Sequence, residues 1–188
     1  MPPAKVLAFA CLFEGALLVV AYGLGWIVGV DPLAALSGGF FAFAIGLAAV
    51  LPMLLLLWWG LRNPGTAMGR ATGEARQFVR QFFNGIGPAG FLLVSLLAGL
   101  CEEALFRGLL QVFIAGHSSV LVGLVAASVL FGLAHAVSLA YAVTATIIGV
   151  YLGALFLLTG SLAAPVICHA VYDFIALLWL SRLPATSR

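Results

Sequence analysis

Apolar runs of bilayer length constrain this chain more than any other feature. A helical crossing needs about 20 mostly apolar residues, and such runs occupy residues 6–30, 40–60, 88–115 and 161–180. Residues 119–158 form a further run, long enough for two crossings with a tight turn near residues 137–141. Of the 188 residues, 64% are hydrophobic and 7% charged, whereas soluble domains carry about a quarter charged residues. The expectation is an all-α, polytopic transmembrane bundle of about six helices, with one amphipathic interfacial helix. Residues 1–60 would supply two N-terminal transmembrane helices, 61–87 a cytoplasmic amphipathic linker, 88–181 a core of four transmembrane helices, and 182–188 a C-terminal tail.

The first run is too long for the apolar region of a signal peptide and lacks an A-x-A cleavage pattern, so it reads as a retained crossing. Pro52 predicts a kink in the second, which ends at Trp58-Trp59, an aromatic pair suited to the headgroup level. Between the second and third crossings, Ala75, Phe78, Val79, Phe82, Phe83 and Ile86 recur at helical spacing, with Arg76, Gln77, Arg80, Gln81 and Asn84 opposite. That pattern suits a helix lying in the membrane surface, or one packed on the bundle.

Lys5, then Arg62, Arg70, Arg76 and Arg80, then Arg182 and Arg188 fall in alternate connections. The positive-inside rule then places both termini and the Arg-rich loop in the cytoplasm, in an integral membrane protein expected in a bacterial inner membrane. A net charge of +2 gives no footprint for nucleic acid. Cys11, Cys101 and Cys168 lie in apolar runs and suggest no disulfide framework.

Charge inside the runs is the second constraint. At a helix centre it costs about 2.5–3.5 kcal/mol, yet Glu14, Glu102, Glu103, Arg107 and Asp173 all occupy apolar runs, with His135 and His169 in the same context. Residues four apart share a helix face, so Glu103 and Arg107 can neutralise each other, while Glu102 points about 100° away without a local partner. In HAVYD, His169 and Asp173 share a face; in FGLAH, Phe131 sets an aromatic wall one turn from His135. A carboxylate, an imidazole and an imidazole–carboxylate pair on three helices can activate water and stabilise an oxyanion. The same groups are also an inventory for a divalent metal such as Zn, held by Glu102, His135 and His169 with water in the open position. Glu14 stands isolated and reads as structural. The chain carries no H-E-x-x-H, G-x-S-x-G, G-x-G-x-x-G or P-loop.

The ordered set E-E-x-x-x-R (Glu102, Glu103, Arg107), F-x-x-x-H (Phe131, His135) and H-x-x-x-D (His169, Asp173) resembles the CAAX prenyl protease type 2 and bacteriocin-processing family, also called CPBP or Abi. FRGLLQ, FGLAHA and GSLAAPVICHA surround the motifs. The resemblance implies an all-helical intramembrane endopeptidase acting on a membrane-associated, hydrophobic or prenylated peptide or protein. It also implies roles: Glu102 as general base with His135, His169 and Asp173 at the oxyanion, Glu103 with Arg107 in support, and Phe131 lining the substrate site. Family members are often labelled metalloproteases, and the pattern is equally compatible with a metal-free, glutamate-dependent reaction. Asp173 departs from the family, where Asn is commoner; an amide donates a hydrogen bond and an ionised carboxylate does not. The competing expectation is a non-catalytic membrane scaffold or bacteriocin-immunity module that binds a partner peptide in the same polar cavity.

Overall fold

The computed structural model describes residues 2–183; Arg188 and the tail beyond Leu183 lie outside them. Every regular element among the described residues is helical. α1 spans Pro3–Val28, begins with proline, whose missing N–H has no helical partner at that position anyway, and stops at Gly29 in the left-handed region (φ 74°). The second crossing is broken into α2 (Phe40–Ala48) and α3 (Val50–Arg62). The kink expected at Pro52 falls one turn earlier, because the proline has no N–H to offer the carbonyl of Ala48 and its ring pushes that carbonyl away. The neighbouring carbonyl of Ala49 accepts instead from the Tyr151 hydroxyl at 2.8 Å.

α4 (Ala67–Phe82) is capped by Thr66, whose hydroxyl accepts from the Gly69 N–H at 3.0 Å. It turns Gly69, Ala71, Thr72 and Val79 inward and leaves Phe78 and Phe82 exposed. The helix therefore does both things its sequence allowed: a small-residue face packs on the bundle, and an aromatic pair with ring centroids 4.8 Å apart faces outward.

The central crossing runs from Pro88 to His117 as one stretch of 30 residues. It comprises α5 (Pro88–Glu103), a π-helical segment (Ala104–Gln111) and α6 (Val112–His117). α7 (Val120–Ala134), α8 (Leu139–Thr159) and α9 (Ala163–Arg182) complete the bundle. Ser119 and Ser138 cap α7 and α8, accepting from the N–H groups of Val122 (3.3 Å) and Tyr141 (3.1 Å). α9 crosses α5 closely at Gly99, where a Cβ would come within 2.8 Å of the Ala170 methyl.

Among the described residues, five helical stretches are long and apolar enough to span a membrane; α7 is apolar but shorter. Counting α7, the chain makes six passes, so α1 begins and α9 ends at the same end of the bundle. Pro3 lies against Gly85 there, and Arg80 Nη1 donates to the carbonyl of Leu183 at 3.1 Å. Lys5, the arginines of the α3–α4 region and Arg182 gather at this Arg-rich end.

Candidate active site

Depth along the helices decides which side chains meet. At about 1.5 Å per residue, Glu102 and Glu103 lie about 21–22 Å from the start of α5, and His169 about 20 Å from the end of α9. The two helices are antiparallel, so both stations sit at one level. Equal crossings would have left His135 near the Arg-rich end, far from them. α7 resolves this by being short: its 15 residues cover about 22 Å, so the chain turns back at residues 135–138 inside the bundle. The turn exposes little naked backbone, since the N–H groups of His135, Ala136 and Val137 bond back to Phe131, Leu133 and His135 at 2.8–3.2 Å.

Glu103 is fully buried and saturated on one oxygen. Its Oε1 accepts from Arg107 Nη1 at 2.7 Å and from His169 Nδ1 at 2.8 Å. Arg107 is equally buried; its Nη2 donates to the Gly149 carbonyl of α8 at 3.0 Å, and its guanidinium lies 4.4 Å from the centre of the Phe131 ring. Glycine at 149 lets α8 approach α7 closely, since a Cβ there would come within 3.1 Å of Ser128. One turn further, Gln111 Nε2 donates to the Gly153 carbonyl at 3.2 Å. Both donors sit on the π-helical segment, a distortion that recurs at functional sites.

Glu102 is buried too, with its Oε2 3.5 Å from His135 Nε2 and making no hydrogen bond. His135 Nδ1 lies 2.8 Å from the Phe131 carbonyl, which can only accept, so Nδ1 carries the proton and Nε2 presents its lone pair to Glu102. His169 follows the same plan: Nδ1 is committed to Glu103, and Nε2 faces Asp173 Oδ2 at 3.5 Å. Phe131 packs on three of these groups, with ring centroids 4.3 Å from His135 and 5.9 Å from His169 besides the Arg107 contact.

Beside these groups lies a cavity of about 140 Å³. Phe131, His135, His169, Tyr172 and Asp173 form one wall, Tyr141, Thr144, Ala145 and Ile148 of α8 a second, and Met53, Leu56 and Leu57 of α3 a third. Met68, Ala71, Thr72 and Ala75 of α4 close it. α4 is fastened over the α7–α8 turn by a hydrogen bond from Ser138 Oγ to Glu74 Oε2 at 2.5 Å.

The structure thus brings together Glu102 with His135, and Glu103 with Arg107 and His169. The spacing-based reading of Glu103 as a partner for Arg107 alone is too narrow, because its second bond crosses to α9 and no local pattern reports it. Tyr141, Tyr172, Gln111 and the Gly149 carbonyl escaped sequence reasoning for the same reason. His117 is exposed against Phe113, away from the site. The expected metal ligands Glu102, His135 and His169 do not fit an ion as arranged: among the described residues no group of three or more His, Cys, Asp or Glu has metal-binding geometry, and His169 Nε2 faces Asp173.

The family model described as type II CAAX prenyl endopeptidase Rce1-like matches residues 85–175. That segment is similar to the Rce1-like family. It runs from just before α5 into α9 and contains Glu102, Glu103, Arg107, Phe131, His135, His169 and Asp173. The similarity is to a family of proteases, and the apolar helices make the protein an integral membrane protein. No curated protein and no solved structure matches the chain.

Proposed function

We propose that this protein is an intramembrane endopeptidase that hydrolyses a peptide bond in a membrane-associated or prenylated CAAX-type substrate. The observation that carries the reading is the approach of Glu102 Oε2 to the lone-pair nitrogen of His135 at 3.5 Å. A water drawn to that edge would hydrogen-bond both atoms at about 2.8 Å. Glu102 takes the proton as the water oxygen attacks the scissile carbonyl, while His135 fixes the water's direction. The carboxyl then returns the proton to the leaving amine. His169 stands at the tetrahedral oxygen: an imidazolium with Nδ1 on Glu103 keeps Nε2–H as the donor, a role Asp173 cannot fill while ionised. Glu103 and Arg107 hold His169 in orientation. The apolar walls from α3 and α4 suit a lipid or aliphatic group next to the cleavage point.

None of these steps needs a metal, and among the described residues no group of three or more His, Cys, Asp or Glu has metal-binding geometry. The Arg-rich end supports a cytoplasmic placement of both termini. Purified protein should release the C-terminal fragment of a prenylated CAAX peptide, and Glu102→Ala should not. Equal turnover by the two would sink the reading and leave the scaffold or immunity role in its place.

A further inference from the structure

Gln111 is a polar side chain buried among apolar ones, and packing alone does not account for it. It is 1% exposed and closes the π-helical segment Ala104–Gln111. Among the described residues its side chain makes one hydrogen bond, from Nε2 to the Gly153 carbonyl at 3.2 Å, while Oε1 is buried without a partner. Burying an amide with half of its bonding capacity unused costs free energy. The Gly153 carbonyl does not need the bond either, since it lies inside α8 and has a helical partner four residues on. An apolar residue of the same length would serve the fold as well. What the bond contributes is alignment.

Two rungs join the π-helical segment to α8. Arg107 Nη2 reaches the Gly149 carbonyl at 3.0 Å, and Gln111, four residues on, reaches the carbonyl four residues beyond Gly149. Glycine at 153 keeps the second rung open, because a Cβ there would come within 2.6 Å of Gln111 Oε1 and 2.5 Å of Leu124 Cδ1 on α7. Arg107 also holds Glu103 at 2.7 Å, and Glu103 holds His169 Nδ1 at 2.8 Å. Contacts therefore run unbroken from the α8 carbonyls through Arg107 and Glu103 to His169. A π-helical turn bonds i to i+5 and is wider than the α-helix on either side. Relaxing it to α-helical bonding turns one end against the other by about 100°, the step of a single residue. Glu103 stands just before the segment and Gln111 is its last residue, so an anchor at each end fixes the register between them.

We propose that Gln111 is a positioning residue for the hydrolysis: its bond to Gly153 locks the π-helical register, and through Arg107 and Glu103 that register aims His169 at the reacting carbonyl. The inference rests on the protease reading for its purpose, but not for its geometry. Gln111 does not line the cavity and acts only through the groups it aligns. Alignment matters at this scale, since a misplacement of about 1 Å in a site can lower a rate about 10²-fold.

The test uses the full chain in nanodiscs with ¹⁵N-labelled histidine. The chain has three histidines, and each Nδ1 has a different partner: Glu103 for His169, the Phe131 carbonyl for His135 and the Phe113 carbonyl for the exposed His117. The signal lost in His169→Gln identifies that residue. Gln111→Met removes the donor and keeps the length. It should displace or abolish the His169 Nδ1–H resonance, leave that of His135 in place, and keep the melting temperature within a few degrees. Gly153→Ala crowds the same amide from the α8 side and should do the same to His169. In turnover of a prenylated peptide, Gln111→Met should lower kcat about tenfold to a hundredfold with KM within about twofold. An unmoved His169 resonance in either variant, or kcat within about threefold of the native rate in Gln111→Met, overturns the positioning role. Loss of folded protein in Gln111→Met overturns it too, because Gln111 would then be a structural residue. Failure of the protease reading shows differently, as equal turnover with and without Glu102, and the resonance still decides whether Gln111 aims His169.

Discussion

Two adjacent glutamates on α5 live in opposite circumstances. Glu103 is tied at 2.7 and 2.8 Å to Arg107 and His169, and Arg107 is anchored again to a backbone carbonyl on α8. Glu102, one residue earlier, has only an imidazole nitrogen 3.5 Å away. Three helices are knotted at the first carboxylate, and one reactive edge is left open at the second. The difference teaches that a buried ionisable group is not one kind of thing. One that is bonded twice through a single oxygen sets geometry, and one held loosely beside a lone pair is free to exchange a proton.

The comparison breaks most sharply at Glu102. Replacing it with glutamine should lower kcat by about 10³-fold or more while the melting temperature stays within a few degrees, because its Oε2 makes no hydrogen bond that folding would lose. Turnover and thermal unfolding of the same preparation check both halves. Arg107→Met should do the reverse. Removing one partner of a buried pair costs about 3–5 kcal/mol, read as a lowered melting temperature or loss of monodisperse protein. The double variant Glu103→Leu/Arg107→Met should regain much of that stability and stay inactive, since His169 has lost the acceptor that orients it. Activity recovered along with stability would show that Glu103 supports folding only.

Asp173→Asn sharpens the comparison at its edge. An amide can donate where the carboxylate cannot, so the variant should keep turnover within about tenfold of the native rate or exceed it. A loss as deep as that of Glu102→Gln would place Asp173 among the proton-transfer groups. A chelator such as 1,10-phenanthroline should leave the rate within about twofold, given a donor set without metal geometry. Abolished turnover restored by Zn²⁺ would overturn the metal-free route. Ser138→Ala should have the smallest effect, about 1 kcal/mol for one hydrogen bond, seen as faster protease nicking near α4.

Hydropathy and charge made much of this legible in advance. The runs at residues 6–30, 40–60 and 161–180 correspond closely to α1, to α2 with α3, and to α9. The four-residue spacing of Glu103 and Arg107 was enough to foresee their contact, because an ion pair within one helix depends only on local geometry. What failed to show was long-range. The bond from His169 to Glu103 links residues 66 apart, and the inward turn of Glu14 depends on how α1 lies on α5. The turn after α7, expected near residues 137–141, falls at 135–138; what spacing did not show is that α7 stops short of a full crossing, inside the bundle. That shortness is what brings His135 down to Glu102. Sequence spacing named the groups, and the helix that stops early decided their meeting.

That stunted helix also has a consequence for the lipid. α7 is exposed at Val120, Leu121, Val125, Val129, Leu130 and Leu133, so it borders the acyl chains along its length. Its rise of about 22 Å falls several ångströms short of a hydrocarbon layer of about 30 Å. A bilayer answers such a mismatch by thinning, with each ångström costing a fraction of a kcal/mol. Thinning of this kind would draw the leaflet beside the α7–α8 turn inward, bringing headgroups toward His135. Thinner-tailed lipids should relieve that strain, and the protein is tuned to the thickness of its membrane as well as to the chemistry of its ligand.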